Sequence, residues 1–133
     1  MKIGFIGLGI MGKPMAKNLL KAGYTDLMVN NHSQAAVQEL QAAGATGATQ
    51  QEIGAQCDVV ITMLPNSPQV KEVMLGDNGV AAHMKPGAVF IDCSSINPVA
   101  SKEIYAELQN KGVEMLDDPV SGGEPKAIEG NLS

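Results

Sequence analysis

Arginine and tryptophan are absent from the 133 residues, and all nine basic residues are lysines. Without arginine, the chain lacks the bidentate group that proteins commonly use to bind phosphates and carboxylates. Anions must therefore be held by backbone N–H groups, hydroxyls or lysine. The formal net charge is −5, and no basic face is evident, which argues against a nucleic-acid partner.

Cysteine is scarce, and long apolar runs are missing. Two lone cysteines, Cys57 and Cys93, are typical of a reduced cytoplasmic protein rather than of a disulfide framework. No cluster of Cys or His residues predicts a metal site. The longest apolar run, residues 59–64, is too short to span a bilayer, and the first residues do not resemble a secretory signal. We therefore expect a cytoplasmic protein with no membrane partner.

Strand and helix patterns alternate along this chain, in which aromatic residues make up only 3%. Strands are predicted at residues 2–7, 26–31, 45–49, 58–65, 88–95 and 113–120. Helices are predicted between them, with starts marked by Pro14, Ser33, Ser67 with Pro68, and Asn97 with Pro98, and a shorter helix at 51–57. This order is typical of an α/β fold with a doubly wound, mostly parallel sheet of the Rossmann type, here one domain over residues 1–133.

The first predicted strand leads into a glycine-rich turn with the pattern G-x-G-x-x-G. The turn consists of Gly7, Leu8, Gly9, Ile10, Met11 and Gly12. In dinucleotide-binding folds the first glycine permits the tight turn, the second lets the pyrophosphate approach, and the third lets helix and strand pack closely. The helix that follows offers N–H groups and a positive dipole end to the anion. The turn therefore predicts binding of NAD or NADP.

The end of the second predicted strand normally selects between these cofactors. An acidic side chain there binds the ribose of NAD, whereas a nearby arginine accepts the 2′-phosphate of NADP. This chain has Asn30, Asn31, His32 and Ser33 instead. Asn31 can hydrogen-bond a hydroxyl without repelling a phosphate, and His32 and Ser33 can assist a phosphate; alternatively, these residues only form a turn and a helix cap. The choice stays open, leaning to NADP.

Four segments together resemble the β-hydroxyacid dehydrogenases, which include 3-hydroxyisobutyrate dehydrogenase and tartronate semialdehyde reductase. They are residues 7–16 (GLGIMGKPMA), 61–73 (ITMLPNSPQVKEV), 90–98 (FIDCSSINP) and 117–123 (DDPVSGG). Residues 123–130 (GEPKAIEG) are most similar to the tartronate semialdehyde, or 2-hydroxy-3-oxopropionate, reductases. The resemblance covers essentially the whole chain, and four motifs in order are far more specific than the glycine turn alone.

The resemblance implies a site and a reaction. Leu64 and Pro65 would line the cofactor, and Ser95 would lie near the nicotinamide ribose. The substrate carboxylate would be bound by hydroxyl and backbone N–H groups of three consecutive residues, Ser121, Gly122 and Gly123. The parent enzyme would transfer hydride between NAD(P)H and a small hydroxyacid or semialdehyde, with tartronate semialdehyde and glycerate as the first choice. 3-Hydroxyisobutyrate or another β-hydroxyacid is the alternative substrate.

The chain departs from the family pattern in three places. Asn31 is one, and Asp118 replaces a small apolar residue beside the substrate motif. The family's catalytic lysine belongs to a helical domain that follows residue 133, together with much of the dimer interface. We therefore expect a Rossmann domain truncated before that helical domain, with no catalytic residue of its own, from a homo-oligomeric enzyme. A hypothesis of another class is a non-catalytic cofactor-binding or assembly module.

Overall fold

Residues 1–94 and 98–117 are described by the computed structural model. They contain six strands: β1 (Ile3–Ile6), β2 (Leu27–Asn30), β3 (Thr46–Gly47), β4 (Val59–Thr62), β5 (Val89–Asp92) and β6 (Glu114–Asp117). They also contain five α-helices: α1 (Gly12–Lys21), α2 (Gln34–Ala42), α3 (Gln50–Gln56), α4 (Ser67–Leu75) and α5 (Pro98–Asn110). The strands form one parallel sheet in the order β3-β2-β1-β4-β5-β6. The predicted Rossmann-type α/β fold is confirmed.

Helices cover both faces of the sheet, which explains why the central strands are apolar throughout. All four residues of β1 and all four of β4 are buried. On one face, alternate strand residues pack against α1 and α2; this cluster includes Ile3, Phe5, Ile61, Met15, Leu19, Val37 and Leu40. On the other face they pack against α3, α4 and α5; this cluster includes Ile6, Val60, Phe90, Ile53, Val70, Met74, Ile104 and Leu108.

The starts of the described helices agree with the sequence predictions in position, but not always in mechanism. Asn97, predicted with Pro98 to mark the start of α5, lies outside the described residues. Ser33 precedes α2 as predicted, yet its side chain makes no capping hydrogen bond. The short helix α3 has a complete capping box instead: Thr49 Oγ1 accepts from Glu52 N at 3.1 Å, and Glu52 Oε1 accepts from Thr49 N at 2.9 Å. Asn66 caps α4 by accepting from Gln69 N at 3.1 Å.

The strand order places a crevice between β1 and β4. From β1 the chain runs outward through β2 to β3, and it then returns to β4 on the other side of β1. At such a switch point the loops after the two central strands diverge, and open α/β sheets bind their ligands there, beyond the carboxyl ends of the strands. Gly7 follows β1 and Met63 follows β4 at this edge.

None of the helices within residues 1–94 and 98–117 combines the length and the apolar character needed to cross a bilayer. Within the same residues, no group of three or more His, Cys, Asp or Glu side chains is arranged to hold a metal ion.

Candidate functional site

The glycine turn packs tightly against the end of β4. Gly7 has a φ of +103°, which L side chains rarely adopt, and a Cβ there would lie 2.2 Å from the Met63 carbonyl oxygen. A Cβ on Gly12 would lie 1.9 Å from the Gly7 carbonyl oxygen, because α1 begins directly against the turn. At Gly9, by contrast, a Cβ would meet no protein atom within 4 Å. The middle of the turn therefore exposes its backbone.

A cleft of about 230 Å³ opens beside this exposed backbone. Its lining comes from the turn and from the segment after β4: Gly9, Ile10, Met11, Gly12, Met63, Leu64 and Pro65. The structure thus brings together most of the predicted turn residues and the predicted pair Leu64 and Pro65. The side chain of Ile10 is 93% exposed, so the rim of the cleft is apolar. Met63 was not predicted as a cofactor contact, since in the sequence it is one residue inside the apolar run 59–64.

Asn31 ties the turn to the end of β2. The backbone N–H of Leu8 donates to Asn31 Oδ1 at 2.8 Å, and Asn31 Nδ2 donates to the Ser33 carbonyl oxygen at 3.1 Å. One strand position earlier, the Gly7 N–H donates to the Asn30 carbonyl oxygen at 3.0 Å. Asn31 consequently fixes the shape of the turn. One hydrogen of its amide and one lone pair of Oδ1 are left for other partners.

The other residues predicted at the end of β2 take different positions. Asn30 Nδ2 donates to the Ala48 carbonyl oxygen at 2.8 Å, which joins β2 to the segment before α3. Asn30 also borders a separate polar cavity of about 320 Å³, lined further by Thr49, Gln50, Gln51, Asp77 and Asn78. His32 and Ser33 are exposed. Asn30 is therefore engaged within the fold, whereas the side chains of His32 and Ser33 face solvent.

A buried polar network lies beneath the other wall of the cleft. The backbone N–H of Leu64 donates to Ser94 Oγ at 2.7 Å. Ser94 N and Thr62 Oγ1 both donate to Asp92 Oδ1, at 2.9 and 3.0 Å. Thr62 and Asp92 are register partners in β4 and β5, so a polar residue at the end of each buried strand is the signal that could have predicted this contact.

Ion pairs join α1 to α2 beside the turn. Glu39 on α2 pairs with Lys17 and with Lys13, and the Lys13 Nζ lies 3.2 Å from Glu39 Oε1. Hydrogen bonds from Lys17 and then Lys13 lower the pKa of the Glu39 carboxyl. The carboxyl therefore stays ionised, and the cluster keeps one net positive charge close to the first turn of α1.

Several predicted residues lie outside the described ranges. They are Ser95, assigned to the nicotinamide ribose, the substrate-binding residues Ser121, Gly122 and Gly123, and the unusual Asp118. Their roles stay predictions that rest on the family resemblance.

A family model matches residues 2–133, and its description is the NAD binding domain of 6-phosphogluconate dehydrogenase. The chain is 48% identical over 133 residues to the NAD-dependent L-serine dehydrogenase of Pseudomonas aeruginosa, covering 99% of the chain and 44% of that protein. It is 41% identical to the 2-hydroxy-3-oxopropionate reductase of Escherichia coli, covering 100% of the chain and 45% of that protein. Overall identity thus does not single out the reductase.

Solved structures of similar proteins share this fold. The fold superposes on the 3-hydroxyisobutyrate dehydrogenase of Mycobacterium tuberculosis, solved with L-serine, with a TM-score of 0.82 at 36% identity. The match covers 95% of the chain and 42% of that structure, so the chain spans less than half the length of these relatives. The chain belongs to the family of the NAD binding domain of 6-phosphogluconate dehydrogenase, and its relatives include the β-hydroxyacid dehydrogenases named 3-hydroxyisobutyrate dehydrogenase and 2-hydroxy-3-oxopropionate reductase.

Proposed function

We propose that residues 1–133 form the cofactor domain of an oxidoreductase, and that NAD(P) binds in the cleft between the glycine turn and the end of β4. The single observation that carries this proposal is the open backbone at Gly9, which a Cβ would fill without touching protein. A pyrophosphate needs such an approach to backbone N–H groups, above all in a chain without arginine. When bound, the nicotinamide supplies or accepts a hydride.

Different residues of the cleft then bind different parts of the cofactor. The turn from Gly7 to Gly12 holds the pyrophosphate through backbone N–H groups at the start of α1, where the positive charge left on the Lys13 and Lys17 cluster also favours an anion. Leu64 and Pro65 form the apolar wall against the cofactor. Ser95 contacts the nicotinamide ribose, as the family resemblance implies.

For the choice of cofactor we propose NADP, with NAD as the alternative. The described residues at the end of β2 include no acid that would repel a 2′-phosphate, and the exposed His32 and Ser33 can donate to one. The alternative is favoured by the relative from Pseudomonas aeruginosa, whose name specifies NAD. Asn31 suits both, because its remaining amide hydrogen can bind a hydroxyl or a phosphate oxygen.

For the substrate we propose tartronate semialdehyde, reduced to glycerate, with its carboxylate held by Ser121, Gly122 and Gly123. Reduction adds a hydride to the aldehyde carbon and a proton to its oxygen. L-Serine and 3-hydroxyisobutyrate, from the names of the relatives, are the alternatives. All of these molecules carry a carboxylate and an oxidisable or reducible β-carbon, so the group on the α-carbon must discriminate between them.

Binding of the cofactor is tested by titrating the chain with NADPH and with NADH to millimolar concentration, followed by nicotinamide fluorescence and by calorimetry. We expect saturable binding. Absence of both signals from a folded chain would contradict the proposal. A chain that dimerises in sedimentation experiments but binds neither cofactor would instead support the assembly module.

The substrate is tested with the protein that carries this chain. Oxidation of glycerate, L-serine and 3-hydroxyisobutyrate is followed at saturating NADP and NAD, and kcat/KM is compared. The highest value is expected for glycerate. A higher kcat/KM for L-serine than for glycerate would contradict the proposed substrate and would indicate a serine dehydrogenase.

A further inference from the structure

Asp92 is a carboxylate in an unusual place. It ends β5 in the interior, with only 1% of its surface exposed. Burial of a carboxylate is unfavourable unless hydrogen bonds compensate it. Two donors are directed to Oδ1: the Thr62 hydroxyl at 3.0 Å, from the neighbouring strand, and the Ser94 backbone N–H at 2.9 Å, from two residues later. The carboxylate therefore fixes the first residues after β5 relative to the end of β4.

Ser94 carries this constraint across to the cofactor cleft. It is 5% exposed, and its Oγ accepts the Leu64 N–H at 2.7 Å. The ladder between β1 and β4 continues to Met63, whose N–H donates to the Ile6 carbonyl oxygen at 2.9 Å. Pro65 has no N–H to donate. Leu64 thus supplies the last backbone donor before Asn66, and Ser94 Oγ anchors it.

We propose that Asp92 and Ser94 are positioning residues that set the Leu64–Pro65 wall of the cleft at the distance a dinucleotide requires from the glycine turn. The inference rests on the proposed function. One buried residue, Ser94, thereby joins Leu64 after β4 to Asp92 at the end of β5.

The test compares Ser94→Ala with the unchanged chain. The substitution leaves the Leu64 N–H without its acceptor, and the segment after β4 relaxes. We expect the affinity for NADPH and for NADH to fall by the same factor, about fivefold to tenfold, which is typical of one lost hydrogen bond. Amide hydrogen exchange at Leu64, measured without cofactor, should become faster.

Two further variants separate positioning from a general loss of stability. Thr62→Val removes one donor to Asp92 while keeping the side-chain shape. It should lower the affinity for NADPH and the affinity for NADH alike. This variant also provides the test if Ser94→Ala does not fold. Asp58→Asn removes the ion pair with Lys85, and the charge that accepts the Lys2 backbone N–H, at the opposite, amino-terminal end of β4. That control should lower stability and leave both affinities unchanged.

The outcomes distinguish this inference from the proposed function. Equal losses for both cofactors in Ser94→Ala, with unchanged binding in Asp58→Asn, would support positioning. Binding by Ser94→Ala that matches the unchanged chain would overturn the inference and leave the proposed function intact. A loss of affinity in Asp58→Asn as large as in Ser94→Ala would also overturn it. If the unchanged chain binds neither cofactor, the proposed function fails and the inference with it.

Discussion

The backbone N–H of Leu8 donates a hydrogen bond of 2.8 Å to Oδ1 of Asn31. One side chain therefore both shapes the glycine turn and occupies the position at which Rossmann domains select their cofactor. A substitution that keeps the acceptor for Leu8 and adds a negative charge can separate these two roles, although it also removes the hydrogen bond from Nδ2 to the Ser33 carbonyl oxygen.

Asn31→Asp is that substitution. The carboxylate still accepts from Leu8, while its negative charge repels a 2′-phosphate and suits a ribose hydroxyl. We expect the ratio of NADPH to NADH affinity to fall by about tenfold, which corresponds to about 1.4 kcal/mol. Fluorescence titrations with both cofactors measure the ratio. The matched control is Asn31→Ala, which removes the Leu8 acceptor and should weaken both cofactors alike; an unchanged ratio in Asn31→Asp would contradict the assignment.

Gly9→Ala should impair cofactor binding without unfolding the chain. The added methyl meets no protein atom within 4 Å, so the free energy of unfolding should stay within about 0.5 kcal/mol of the original. The same methyl occupies the space that the pyrophosphate needs, so affinity for both cofactors should fall by about tenfold or more. Chemical denaturation and titration measure the two effects.

Gly12→Ala is the control for Gly9→Ala. Its Cβ would lie 1.9 Å from the Gly7 carbonyl oxygen, so the backbone must shift, and stability should fall by about 1–3 kcal/mol together with binding. The proposed pyrophosphate site at Gly9 would be contradicted if Gly9→Ala were as destabilised as Gly12→Ala, or if Gly9→Ala bound the cofactor normally.

Asp58 should make stability depend on pH. The backbone N–H of Lys2, and then the Lys85 ammonium, lower the pKa of its carboxyl below the ordinary value of 3.8. A pKa that is lower in the folded chain contributes stability above the ordinary value, and this stability is lost as the pH falls through the lowered pKa. Because both partners are about half exposed, with 47% of each side chain accessible, screening limits the contribution to about 1 kcal/mol.

The test is urea denaturation of Asp58→Asn and of the unchanged chain across the acidic range. The variant should be less stable at neutral pH. The difference should shrink as the pH falls through the lowered pKa of Asp58, because the carboxyl is then protonated in the folded as well as in the unfolded chain. A difference that persists unchanged at the acidic end would show that Asp58 acts through packing rather than charge.

Cys57 should react slowly with thiol reagents. Burial is the main cause that raises the pKa of its thiol to about 11. At pH 8 only about one thiol in a thousand is then ionised, and the thiolate is the reactive form. Labelling with a chromogenic disulfide should be slow for the native chain and complete after unfolding. Cys93 is also buried, so a Cys93→Ala variant isolates the Cys57 signal; rapid native labelling there would contradict the burial.

The fold was predictable because its signals are local. Apolar runs bounded by glycine or proline marked the strands, and their alternation with helices fixed the class. The predicted strand at residues 45–49 proved to be only two residues long, Thr46–Gly47. Its length could not be predicted, because amino-acid composition does not show over how many residues a strand pairs with its neighbour, here β2. Residues 49–52 at the start of α3 do contain the T-x-x-E pattern of its capping box, so this cap could have been predicted from the sequence.

The site was predictable only in part. The glycine turn and Leu64 with Pro65 came from motifs, and the fold brings them to one cleft. The contacts of Asn31 with Leu8, and of Ser94 with Leu64, join residues 23 and 30 positions apart. Such contacts depend on which strands are neighbours and in what register, which a linear pattern does not contain.

The shortness of β3 has a consequence for solubility. β3 is an outer strand, and an exposed outer strand is a template on which another chain can add by backbone pairing. With only Thr46 and Gly47 in the ladder, β3 presents very few backbone groups in a row. At this edge the sheet therefore offers few backbone groups to which a strand of another chain could pair, and aggregation by strand addition is disfavoured there.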